Sequence, residues 1–315
     1  MSKIAVVGSL SCDMVMQVPR RPQKGETIIG TAFNIFVGGK GNNQALAIAR
    51  NGADVYMIGK IGTDLFGDRV AAKLEETGVN TKFLYRDSAI GTGIADILVD
   101  GAGDNYISIA PQANGRLCAL DIDNAKSAIQ ECNYLLMQLE ISIATVTHAA
   151  KLAKDLGLTV VLNPAPAPAD GVLPDELLKH VDILIPNQTE AELLTGIKVV
   201  DIISAIEAAK ALQNKGIKQV IITMGEMGAL LVDDKCMPHM TPSFEVQVTD
   251  TTAAGDAFCG GLLAALAADK KLSSAMDFAC AAGALATTKL GAEPSLPTLA
   301  DVKQLVETRE PCPAQ

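Results

Sequence analysis

Apolar positions along the chain fall into short, nearly unbroken runs: Ile4–Val7, Val55–Ile58, Tyr134–Met137, Val160–Leu162, Ile183–Ile185 and Val220–Thr223. A strand buried on both faces reads as a continuous apolar run, whereas a strand with one wet face alternates. Between most of these runs the apolar residues recur at helical spacing, over Asn43–Asn51, Phe66–Thr77, Ile143–Leu156, Thr189–Leu194 and Ile202–Lys215. Strands alternating with helices predict a doubly wound α/β fold, with a mostly parallel sheet, helices on both faces and right-handed crossovers. From Asp256 to Val306 the pattern is mainly helical and Ala-rich.

Two stretches break this rhythm. Met14–Val37 and Ile90–Ala110 are β-rich with no intervening helix. Within the second, Gly93–Val99 and Asn105–Ile109 flank Asp100-Gly101-Ala102-Gly103-Asp104, a hairpin signal. A small antiparallel sheet beside the α/β core is expected. Such a sheet cannot bury both faces alone, so it has to cover a cleft, a second subunit or both. With no low-complexity linker, the expectation is a single domain over 1–315 with inserted segments at 13–37 and 88–112.

Composition narrows the function classes. At 49% hydrophobic and 20% charged residues the chain is globular, not disordered. A net charge of −10, with no Lys/Arg run, argues against a nucleic-acid partner. The seven cysteines are scattered, odd in number and without a CxxC pair, which predicts free thiols in a reducing cytoplasm. His148, His180 and His239 are isolated and lack metal-ligand spacing. No apolar run reaches the ~18 residues of a membrane span. The N-terminus carries no signal-peptide pattern, and Glu310–Gln315 reads as a frayed tail.

The densest chemical signal is Asp250-Thr251-Thr252-Ala253-Ala254-Gly255-Asp256, a small-residue turn leading into an apolar helix. The first amides of a helix lack internal partners and, with the helix dipole, favour an anion. Asp256 at that start is either a plain cap or a base that accepts a proton from an attacking alcohol. Gly38-Gly39-Lys40-Gly41-Asn42-Asn43 is not a Walker loop, because Lys40 is followed by Gly41 rather than Ser or Thr. It reads as a close-approach turn for a polyhydroxylated ligand, with Asn43 as paired donor and acceptor, or as a tight turn with a cap. Asp13 and Glu140 each follow a strand, where doubly wound sheets bind ligands, although a solvated acid is the plain alternative for Asp13. Asn187-Gln188-Thr189-Glu190 could hold phosphates through Mg²⁺ or simply cap a helix. Thr223-Met224-Gly225-Glu226-Met227-Gly228 could contact a nucleotide or be a hairpin turn into Ala229–Val232.

Taken together, these blocks resemble the PfkB carbohydrate kinases from Ile4 to about Val306. The GGKGNNQA block at Gly38–Ala45 and the DTTAAGDAF block at Asp250–Phe258 carry the resemblance most specifically, with Asn163-Pro164-Ala165-Pro166 and Asn187–Glu190 in matching order. The resemblance implies transfer of the γ-phosphoryl of ATP to a sugar hydroxyl. The expected reaction is at the 5-hydroxyl of D-ribose, giving ribose 5-phosphate and ADP. Another acceptor (2-deoxyribose, fructose or a nucleoside) is the alternative, and a non-catalytic sugar sensor is a further one. By the same resemblance Asp256 is the base and the amides of Ala253, Ala254, Gly255 and Asp256 form an anion hole. Ser11, Asp13, Gly39, Lys40, Asn43, Glu140 and Asp256 hold the sugar. Asn187, Thr223, Gly225, Gly228, Gly255 and Cys280 line the ATP site, and Glu190 organises Mg²⁺ through water. A monovalent cation such as K⁺ takes the Asp250 side chain, the carbonyls of Thr252, Ala286, Lys289 and Gly291, and the Ser295 hydroxyl. The inserted β segments match the family's lid, which also pairs two subunits into a homodimer. Three residues depart from the pattern: Ser11 where the ribose-phosphorylating members usually carry Asn, Cys280 in place of a larger polar residue beside the adenine, and the charged Asp96 in a lid strand.

Overall fold

A computed structural model describes residues 2–309. The expected tail Glu310–Gln315, with Cys312, lies outside the described residues. In chain order the strands are β1 (Ile4–Val7), β2 (Ser11–Gln17), β3 (Ala32–Gly38), β4 (Val55–Gly62), β5 (Asn80–Asp87), β6 (Gly93–Val99), β7 (Asn105–Ala110), β8 (Tyr134–Met137), β9 (Thr159–Leu162), β10 (Ile183–Leu184), β11 (Gln219–Thr223), β12 (Ala229–Val232) and β13 (Pro238–Thr241). Nine of them form one sheet in the order β13-β12-β11-β10-β9-β8-β1-β4-β5, parallel from β11 to β5 and antiparallel at β12 and β13. The other four form a separate sheet, β3-β2-β6-β7.

The continuous apolar runs have the predicted cause: successive side chains of one strand feed different cores. Ile4 and Val6 pack with the helices Lys40–Arg50, Ala254–Ala267 and Leu272–Ala286, while Ala5 and Val7 pack with Ile143–Asp155 and Ile202–Gln213. The expected strands and helices are all present within a few residues of their assigned ends. Two strands at the rims of the large sheet, β5 and β13, have no counterpart in the apolar pattern. The hairpin around Asp100–Asp104 joins β6 to β7. The small sheet is not wholly antiparallel, because β2 and β6 run parallel, with Asp13 opposite Ala95.

Strand order positions the site. The chain enters at β1, places β4 and β5 on one side, then crosses to lay β8 through β11 on the other. At this reversal the loops after β1 and β8 diverge and open a crevice beyond the strand ends. Close helix contact brings the chemistry to that crevice. A Cβ at Gly260 would lie 2.3 Å from the Ala47 Cβ, so the helices Lys40–Arg50 and Ala254–Ala267 meet almost backbone to backbone. Among the described residues no helix is long and apolar enough to cross a membrane.

Candidate active site

The glycines of the first block let main chain lie on main chain. Gly39 has φ 89°, and a Cβ there would sit 2.9 Å from the Leu10 Cα; a Cβ at Gly41 would sit 2.7 Å from the Ser9 N. This seats the start of the helix Lys40–Arg50 directly on the loop after β1. Glu140, beyond the end of β8, fastens that junction. Its Oε2 accepts from Ser9 Oγ at 2.5 Å and from the Lys40 amide at 3.0 Å. Asp13 lies on β2 with one carboxylate oxygen accepting from Ser11 Oγ at 3.0 Å. A Cβ at Gly38 would be 2.2 Å from the other oxygen, so a larger residue there would displace the Asp13 carboxylate. Burial raises the Asp13 pKa to about 6, assisted by the charges of Glu140 and Asp256 and opposed by the Ser11 hydrogen bond.

Asp256 stands in the first turn of the helix Ala254–Ala267 and is 5% exposed. Its Oδ2 accepts from Asn43 Nδ2 at 3.1 Å and its Oδ1 from Gln44 Nε2 at 2.9 Å. Burial pushes its pKa up; the charge of Lys40 and the two amides pull it back, and Glu140 adds to the rise. Lys40 shares the cavity. Burial alone would lower its pKa, but the charges of Asp256, Glu140 and Glu190 more than offset that and raise it. The preceding residue, Ala253, adopts the left-handed conformation at φ 61°, which costs a non-glycine residue of order 1 kcal/mol and turns the helix start toward the crevice. Among the described residues the amides of Ala253, Gly255 and Asp256 have no backbone partner, whereas the Ala254 amide donates to the Thr251 carbonyl at 3.3 Å. The expected four-amide anion hole is therefore three free donors and one already engaged.

Two cavities meet at this turn. The smaller, about 180 Å³, is lined by Lys40, Asn163, Asn187, Glu190, Asp256 and the Ala253–Gly255 turn. The larger, about 910 Å³, runs past Thr223, Gly225, Gly228, Val246, Cys280 and Gly283. Gly255 lines both, and a Cβ built on it would meet no atom within 4 Å. The capping and hairpin readings both hold as geometry. Asn187 Oδ1 accepts from the Glu190 amide at 2.8 Å and Glu190 Oε2 from the Asn187 amide at 2.9 Å, while β11 and β12 form the hairpin around Gly225–Gly228. The same residues nonetheless line the cavities. Burial raises the Glu190 pKa, opposed by its bond from Asn187 and by Lys40. The buried Cys280 thiol is pushed to about 12 by desolvation and points to the Thr241 carbonyl.

The expected cation residues are only partly drawn together. Asp250 accepts from the Thr252 amide and hydroxyl at 2.9 and 2.7 Å and from the Gly291 amide at 2.8 Å, joining those two loops. Ser295 donates to the Ala292 carbonyl at 2.7 Å, Ala286 lies at the end of the helix Leu272–Ala286, and Lys289 lines a cavity with Ser295. The donors are all oxygen atoms, which suits a hard cation. Among the described residues no group of three or more His, Cys, Asp or Glu could hold a metal.

Sequence reading missed three carboxamides behind Asp256. Gln44 Nε2 also donates to Asn163 Oδ1 at 3.0 Å, Asn163 Nδ2 donates to the Ile185 carbonyl at 2.8 Å, and Gln138 Nε2 donates to Gln44 Oε1 at 2.5 Å. A signal existed: Asn42-Asn43-Gln44 puts three polar amides at the start of an apolar helix, and all three are buried.

A pfkB family carbohydrate kinase model matches residues 1–299. The chain belongs to that family. It is 41% identical to a ribokinase of Haemophilus influenzae, covering 96% of this chain and 98% of that one. It is 36% identical to a deoxyribokinase of Salmonella typhi, covering 98% and 99%. The structure of Arabidopsis thaliana ribokinase complexed with ribose and ATP superposes with a TM-score of 0.92 at 30% identity, over 97% of this chain and 99% of that one. The two cavities share Asn187, Thr223, Thr251, Ala254 and Gly255, and Asp256 lines the smaller one.

Proposed function

We propose that the chain phosphorylates the 5-hydroxyl of D-ribose with ATP, giving ribose 5-phosphate and ADP. The observation that carries this reading is Asp256, a buried carboxylate held through both oxygens on the wall of the smaller cavity, beside the Ala254-Gly255 turn that also lines the nucleotide-sized one. Full-length likeness to ribokinases supports ribose as the acceptor. Asp256 takes the proton of the 5-hydroxyl as its oxygen attacks the γ-phosphorus. The bond from that phosphorus to the β,γ-bridging oxygen breaks, and ADP leaves with the electron pair. The free amides of Ala253, Gly255 and Asp256 and the Lys40 ammonium hold the charge on the transferring group.

Asp13, Ser11, the Gly39 backbone, Lys40, Asn43 and Glu140 hold the sugar; Asn187, Thr223, Gly225, Gly228, Gly255 and Cys280 receive the nucleotide. Mg²⁺, organised through water by Glu190, would neutralise phosphate charge. A monovalent cation at Asp250, Thr252, Ala286, Lys289, Gly291 and Ser295 would brace the anion-hole turn. We read residues 1–315 as one domain with the segments 13–37 and 88–112 as its lid. The exposed Phe33, Ile107 and Ile109 on that sheet support pairing of two subunits there. The cysteines support a cytoplasmic setting, since those among the described residues are all free.

2-Deoxyribose is the second reading. Ser11 is a short side chain whose hydroxyl is already donated to Asp13. A site that hydrogen-bonds a hydroxyl rejects an analogue lacking it only when its own polar groups are left unpaired. ADP release with Mg-ATP and K⁺ is compared for ribose, 2-deoxyribose, fructose and adenosine, with Na⁺ replacing K⁺ as control. Preference for ribose with K⁺ stimulation is expected. Preference for another acceptor overturns the ribose assignment, and no turnover with any acceptor returns the chain to a sugar sensor.

A further inference from the structure

The amides behind Asp256 form a directed chain, and its direction is fixed by covalent chemistry. The Ile185 carbonyl can only accept, so the Asn163 NH₂ group must face it at 2.8 Å. That leaves Asn163 Oδ1 as an acceptor, so Gln44 must turn its NH₂ group toward it at 3.0 Å. The second proton of the same NH₂ group then points at Asp256 Oδ1, 2.9 Å away. At the far end Gln44 Oε1 accepts from Gln138 Nε2. Every donor and acceptor site that Gln44 needs is filled, and the residue is fully buried. Flipping its amide would set oxygen against two oxygens, the costly arrangement for buried polar groups.

We propose that Gln44 is a positioning residue for phosphoryl transfer, holding the Asp256 carboxylate in line with the acceptor hydroxyl through an amide chain anchored on the Ile185 carbonyl. The chain ties together the ends of β8 and β9, the loop after β10, the helix Lys40–Arg50 and the helix Ala254–Ala267. A base must sit within hydrogen-bond reach of its proton, and a misplacement of about 1 Å can cost about 100-fold. Asn43 cannot do this alone, because it lies at the sugar and is itself held only by Asn42 Nδ2 at 3.3 Å. Gln44 holds the other oxygen from behind, and does not line either of the two cavities.

This inference rests on Asp256 acting as the base, and its test separates the two. Gln44→Met and Gln44→Glu both keep the length of the side chain and remove the NH₂ donor. Each is expected to lower kcat by about 10- to 100-fold, the worth of a hydrogen bond to a charged group, with KM for ribose and ATP held within about threefold. The acid limb of the pH–rate profile is expected to move up, because Gln44 lowers the pKa of Asp256. The other groups facing Asp256 stay in place in both variants: Lys40 on the first helix, Glu140 beyond β8, Glu190 in the first turn of the helix Gln188–Thr195, Asp13 on β2 and Cys259 one turn along. Wild-type kcat in either folded variant overturns the proposal. So does a loss of kcat in which KM rises in step and the acid limb stays put, since that is the mark of general loosening. If Gln44→Met does not fold, Gln44→Glu, which keeps the acceptor toward Gln138 but raises the acid limb by its own charge beside Asp256, is read by kcat and KM alone. Asp256→Asn is measured alongside. An inactive Asp256→Asn with unimpaired Gln44 variants removes only the positioning role, whereas an active Asp256→Asn removes the base assignment beneath it.

Discussion

The two sides of the site are built from different materials. On the acceptor side, charges and carboxamides converge, the partly buried Asp13, Lys40 and Glu140 with the buried Asn43, Gln44 and Asp256. On the nucleotide side small and apolar groups, including Gly225, Gly228, Val246, Gly283 and Ala284, alternate with polar side chains such as Asn187, Thr223, Glu226 and Glu245. On the proposed reading, the first side selects by hydrogen bonds and charge, where a missing partner leaves a buried group unpaired, while the second relies more on shape, where a lost contact is a partial loss. The carboxylates of Asp13, Glu190 and Asp256 are held above their ordinary pKa by burial, and Lys40 is the cation that offsets this at Glu190 and Asp256.

After the base itself, the largest effect is therefore expected at Lys40. Lys40→Met leaves the buried carboxylates uncompensated and removes a charge from the transferring phosphoryl; kcat should fall by about 10²–10³-fold. A fall of less than about threefold would place the compensation elsewhere. Asp13→Asn comes next and splits function from stability. The folded protein holds the Asp13 proton up to about pH 6, against an ordinary value of 3.8. A pKa raised in the folded state gives stability that is present below the unfolded value and lost as pH rises through the folded one. Asp13→Asn should therefore raise stability by about 1–2 kcal/mol at pH 7–8, with no gain below about pH 4, while raising KM for ribose by about 10-fold or more. Melting curves at those pH values check the sign. The smallest effect is expected across the turn: Cys280→Ala should raise KM for ATP by at most about tenfold and leave kcat unchanged. A large kcat loss there would erase the contrast between the two sides.

The same contrast explains what the sequence discloses. Interior strands such as β1, β8 and β9 are buried on both faces and so appear as apolar runs. The rim strand β5, Asn-Thr-Lys-Phe-Leu-Tyr-Arg-Asp, has a neighbour on one side only and carries charges that keep the edge from pairing, so its apolar pattern is diluted. At the site, Asp13, Lys40, Asn43, Glu140 and Asp256 were legible because they sit beside glycine turns and strand ends. Gln44, Gln138 and Asn163 were not. Gln44 and Asn163 stand inside recognisable blocks, but their role did not show, because the bonds among Gln44, Gln138, Asn163 and Asp256 span 94 to 212 positions along the chain. The engaged Ala254 amide was hidden for a related reason: the turn bond to Thr251 follows from Ala253 entering the left-handed region, where glycine is the usual occupant.

The central claim is that Asp256, at the junction of the two sides, takes the acceptor's proton. Turnover of purified Asp256→Asn with ribose and Mg-ATP, measured beside ribose binding by calorimetry, tests it most directly. The account predicts a kcat lowered by about 10²–10⁴-fold in a protein that still binds ribose. Turnover near that of the unsubstituted enzyme would contradict it.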